Sequence, residues 1–191
     1  MKKRDILRRM GKLNAFRKVQ SFYIGICNDD IISGYCLDMS PQNVYIWRFV
    51  IPSYDNISFL HLSLGFRILH IPLLPQSEDH KADFENEILR DWSQFSKIDN
   101  RKSLIFYIND QTFAGIYPSW VRYITHIIER EFAEADRMTE EQGVEGEFSE
   151  LKLISESYSL IKEAKMKLGW DAVWNIVRLW RDASIKCYCL K

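Results

Sequence analysis

The sequence predicts an α+β fold: an antiparallel sheet of four to five strands, with an N-terminal helix and several C-terminal helices packed on it. Three observations lead there. Segments between residues 21 and 64 are dense in Ile, Val, Tyr, Phe and Trp, and the turns between them are too short to hide crossover helices. From residue 77 onward, apolar residues recur mostly at steps of three and four. A chain of 191 residues, 47% apolar and 27% charged, suits one well-buried core and a single domain over residues 1–191.

Along the chain, residues 1–20 read as a basic amphipathic helix. Ile6, Leu7, Met10, Leu13, Phe16 and Val19 form its stripe, and Arg4, Arg8, Arg9, Lys12 and Lys18 fill much of the remainder. Gly11 weakens that helix by about 1 kcal/mol without having to break it. Residues 21–76 read as antiparallel strands at Ser21–Cys27, Ile31–Met39, Asn43–Ile51 and Ser58–Leu64. In the third, Tyr45, Trp47, Phe49 and Ile51 share one face. Val44, Ile46, Arg48 and Val50 share the other, with Arg48 the odd residue.

Residues 77–137 read as helix, strand, helix. Ser77 caps a helix striped by Phe84, Ile88, Trp92 and Phe95; Leu104–Ile108 has strand composition; Trp120, Ile124, Ile127, Ile128 and Phe132 stripe the next helix. Asp83, Glu87 and Asp91 read as a solvated polar face. Residues 138–148 are expected to be a mobile acidic loop. Residues 149–186 read as a helical pair, capped by Ser149 and divided at Gly169.

The formal net charge is zero, yet residues 1–18 hold eight Lys/Arg against one Asp, and residues 129–156 hold ten Asp/Glu against three Lys/Arg. Such an asymmetry speaks of contacts more than of chemistry. No Gly-rich phosphate loop, His-Glu-x-x-His or Gly-x-Ser-x-Gly elbow occurs, and His61-Leu62-Ser63 has no second His-x-Ser/Thr element to work with.

Cys187 and Cys189 stand one residue apart, closer than zinc-knuckle ligands, so Cys27, Cys36, Cys187 and Cys189 read as reduced thiols. Without an apolar signal core or a ~20-residue apolar run, the chain is expected to be cytoplasmic and off the membrane. No metal or cofactor is expected.

The function expected is a non-catalytic interaction or assembly subunit that binds another protein or a second copy. Trp47, Trp174 and Trp180 would be its aromatic anchors, with Arg8 and Arg9 among the surrounding charges. One alternative is an enzyme for a phosphorylated or carboxylated substrate. There Arg48, His61, Ser63 and Arg67 would bind the anion, and His61 would move a proton. The other is a nucleic-acid accessory protein using the basic N-terminal helix.

Overall fold

A computed structural model describes residues 2–56, 59–73, 84–140, 144–148 and 151–190. Helix α1 (Lys3–Met10) buries Ile6 and Met10. It stops there rather than running to Val19. Gly11 ends it, and Arg17–Val19 forms β1, an edge strand paired with β2 (Phe22–Cys27) through a tight turn in which Gln20 adopts φ 54°. The apolar spacing of Leu13, Phe16 and Val19 therefore belongs to a turn and a strand. Phe16 packs against Tyr35 and Trp92, whereas Val19 joins the cluster on the opposite side of the sheet.

Strands β3 (Ile31–Met39) and β4 (Asn43–Pro52) coincide closely with the segments expected from composition. The fifth strand does not. Residues 59–65 are irregular, and β5 is Phe66–Pro72. The apolar residues that suggested a strand there point to separate cores: Leu64 packs with the helices, and Leu60 lies against the outer sheet face. The five strands pair in chain order, β1-β2-β3-β4-β5, all antiparallel.

Beyond residue 83 all the described regular structure is helical: α2 (Phe84–Phe95), α3 (Arg101–Asp110), α4 (Tyr117–Ile128), α5 (Phe132–Glu140), α6 (Val144–Phe148), α7 (Lys152–Leu168) and α8 (Trp170–Tyr188). The segment Leu104–Ile108, expected as a strand, lies inside α3. Its start is set by Asn100, whose side chain accepts from the Ser103 amide at 3.0 Å, and this local cap outweighs the strand composition. Much of the expected 138–148 loop is helical too: Met138 is buried at the end of α5, and Phe148 is buried on α6. The expected caps Ser77 and Ser149 lie outside the described residues. Gly169 does separate α7 from α8, at φ 81°, a left-handed conformation that glycine adopts without strain.

These elements leave three apolar clusters. The largest gathers α3, α4, α7 and α8 around Trp120, Ile124 and Phe148, and meets the sheet at Ile31 and Val50. A second lies where α1 and α2 cover Tyr23, Tyr35, Leu37, Val44 and Ile46 on the same sheet face. The third, on the outer face, brings Tyr188 of α8 and Leu60 over Ile24, Ile32, Phe49 and Ile51. A disulfide between Cys27 of β2 and Cys189 fastens the end of α8 there; these two are not the reduced thiols expected, whereas Cys36 and Cys187 are free. Among the described residues no helix is long and apolar enough to cross a membrane.

Candidate functional site

The outer sheet face is only half covered. Its alternating residues on β4 are Tyr45, Trp47, Phe49 and Ile51. The last two are buried under Tyr188 and Leu60, while Tyr45 and Trp47 are half-buried. Cross-strand pairing sets His70 beside Tyr45 and Arg67 beside Trp47. The Tyr45 and His70 rings stack at 4.9 Å, and the Arg67 guanidinium lies 5.4 Å from the Tyr45 ring and 6.0 Å from that of Trp47. His70 is held from the side by Asn43, 2.7 Å from its Nε2. Asp38, exposed opposite Tyr45 on β3, completes the row. Antiparallel sheets that face water on one side ordinarily place polar residues there; this one presents two aromatics and a cation. The Trp47 indole nitrogen is shielded from water and has no hydrogen-bond partner among the described residues.

Arg48, one residue along β4, points to the other face. It donates to Asp91 Oδ1 of α2 at 3.1 Å and lies 5.4 and 5.2 Å from the rings of Phe66 and Phe95. The Tyr35 hydroxyl donates to Asp91 Oδ2 at 2.8 Å. Asp91 is thus a half-buried anchor between helix and sheet rather than part of a solvated face. Arg48 and Arg67 therefore stand on opposite sides of the sheet.

His61 and Ser63 occupy a third place, the irregular segment before β5. With Asp55, Phe59, Tyr117, Trp120 and the start of α7 they line a cavity of about 200 Å³. Asp55 forms its floor. The carboxylate is 4% exposed and accepts from Tyr117 Oη at 2.6 Å and Trp120 Nε1 at 2.9 Å. Burial raises its pKa, against the opposing pull of those two donors and the Asn56 amide. The His61 ring stands edge-on to Tyr117 at 4.6 Å, and burial pushes its pKa down to about 4, so it is neutral at pH 7. The structure thus brings His61 and Ser63 together and keeps both arginines away from them. Asp55 was missed in the sequence. Its signal was a single acid inside the apolar stretch from Phe49 to Leu64, which could have been read as a buried, fully hydrogen-bonded carboxylate.

The other expected interface residues are largely committed inside the fold. Trp174 donates from Nε1 to the Ile128 carbonyl at 3.1 Å, with Arg130 and Arg178 lying 4.3 and 5.3 Å from its ring. Trp180 is half-buried against the largest cluster. Arg9 ties α1 to α2 through Glu85, its Nε 2.7 Å from Oε1, and caps the Phe84 ring at 4.5 Å. Arg8 stays exposed, near Asp5 at 3.6 Å. Among the described residues no group of three or more His, Cys, Asp or Glu is placed to hold a metal ion. Comparison with protein-family models, with curated proteins and with solved structures finds no match to this chain.

Proposed function

We propose that this chain is a non-catalytic interaction subunit that docks a partner protein on the open half of its outer sheet face. The observation that carries this reading is the pair of half-buried aromatics Tyr45 and Trp47 beside the exposed Arg67 and His70, where an uncovered antiparallel face would ordinarily be polar. Aromatics with an arginine, beside a buried apolar region, match the composition of interface hot spots. Trp47 and Arg67 are the central contacts; Asp38 and His70 set the polar rim. Trp174, Trp180 and Arg9 have internal roles in this reading, which concentrates recognition on the sheet.

The test is native co-purification of the wild-type chain and a Trp47→Ser/Arg67→Glu variant, each with and without nuclease. A stoichiometric protein that survives nuclease and is lost in the variant supports the reading. Retention by the variant, or a partner held only through nucleic acid, sinks it. A second copy as the partner would appear as concentration-dependent dimerisation of the purified wild type, abolished in the variant.

A cytoplasmic setting belongs to the same proposal, and the cysteines give it a separate test. Cytosolic thiols are kept reduced in most organisms, so a cytoplasmic setting requires the Cys27–Cys189 bond of this structure to be open in the cell, and both thiols should then be alkylated when cells are lysed in iodoacetamide. Protection of both would place the chain in an oxidising compartment.

A further inference from the structure

The cavity above Asp55 lies away from the open sheet face and asks for a ligand of its own. Its walls are mainly aromatic and aliphatic, from Phe59, His61, Tyr117, Trp120, Leu151 and Ile154, with Ser63 and Lys152 also lining it. Its floor is a carboxylate whose hydrogen-bond partners, Tyr117, Trp120 and the Asn56 amide, are all neutral. No cationic side chain pairs with it among the described residues. Lys152 at the rim has its side chain 90% exposed and faces Glu156 at 3.8 Å, and His61 is neutral. A buried carboxylate ordinarily has a cationic partner. Here the place for one is the cavity, and aromatic walls suit an organic cation better than a hydrated metal ion. At about 200 Å³ the space is below that of a drug-sized pocket, so it takes a compact head group.

We infer that this cavity binds a small alkylammonium cation, held by the Asp55 carboxylate and by the aromatic rings of Phe59, Tyr117 and Trp120. Such a group could come from a free quaternary amine or from a methylated lysine side chain; the recognition chemistry is the same.

The decisive comparison is between choline and its neutral isostere 3,3-dimethyl-1-butanol, titrated into the wild-type chain at pH 7.5 with tryptophan fluorescence and calorimetry as readouts. Choline binding at least tenfold tighter than the isostere is expected. Asp55→Asn, which preserves shape and removes the charge, should erase that ratio. Phe59→Ala, at a side chain 56% exposed on the rim, should weaken choline severalfold and leave the fold intact. A trimethyllysine peptide in a parallel titration assigns the source: tighter than choline points to a protein side chain, weaker to a free amine. Equal binding of the isostere, no binding of choline or the peptide, or undiminished discrimination in Asp55→Asn would overturn the inference. None of these variants touches Trp47 or Arg67, so loss of the docking reading and loss of this one are separable.

Discussion

Arg48 and Asp91 join the sheet to α2 through a hydrogen bond of 3.1 Å, and the Tyr35 hydroxyl holds the second carboxylate oxygen at 2.8 Å. Their side chains are 25% and 21% exposed, so solvent screens the pair in part. Asp91→Ala strands the guanidinium between Phe66 and Phe95, and a loss of about 1–3 kcal/mol in urea unfolding is expected. Arg48→Met with Asp91→Leu, which removes both charges, should cost less than Asp91→Ala alone. If the double variant is the worse of the two, the pair contributes more than its desolvation costs.

That anchor is only half visible in the amino-acid sequence. Arg48 stands out among Val44, Ile46 and Val50 as a charge on an apolar face, and strict alternation groups it correctly with those three, without showing which face of β4 lies inside. Its partner was hidden, because Asp91 reads equally well as part of a polar helix surface. The strands β3 and β4, dense in β-branched and aromatic residues and bounded by short turns, were legible almost to the residue. Residues 59–64 were not, since apolar side chains that diverge into two clusters look the same in sequence as those that share a sheet. Leu104–Ile108 failed for a different reason: the Asn100–Ser103 cap decides that segment, and its apolar composition favours neither state strongly.

The acid side of the stability profile should carry the signature of His61. Its folded pKa, about 4, lies below its ordinary 6.5, so the unfolded chain binds the extra proton first as pH falls. Stability is then lost on acidification from about pH 6.5 toward pH 4, by up to about 3 kcal/mol. Asp55 acts oppositely: its raised folded pKa makes the native state gain stability as pH drops through the range above an ordinary aspartate. His61→Phe should flatten the slope between pH 6.5 and 4, measured by urea midpoints at half-unit steps. An unchanged slope would mean that His61 is already solvated.

Reducing the Cys27–Cys189 bond opens a loop spanning 162 residues. The expected loss is about 2–5 kcal/mol in urea unfolding, with the spread reflecting strain and residual denatured structure. Cys27→Ser should reproduce the effect of reductant, and reductant should add nothing further in that variant. Equal stability with and without reductant would show that Tyr188 docks unaided.

Gly34 is expected to be intolerant. A Cβ there would fall 2.0 Å from the Tyr23 carbonyl oxygen, beside the irregularity where Ile24 and Ile26 take successive partners. The clash is with backbone, so the strand pair itself must move, and Gly34→Ala should cost about 2–4 kcal/mol or prevent folding. Thermal unfolding by circular dichroism checks it; a shift under 2 °C would mean that β2 and β3 separate easily at this point.

The strand order matters in time as well as in space. Because each strand pairs with its neighbour in sequence, every ladder closes over a short span of chain and none has to wait for a distant segment. The end of α8 is the exception. It meets β2 across most of the chain, so during synthesis the sheet can assemble while the outer cluster of Phe49, Ile51 and Leu60 is still without Tyr188. A nascent chain thus passes through an interval in which the outer cluster is shielded by Leu60 but not by α8, and that interval ends only when the last helix arrives.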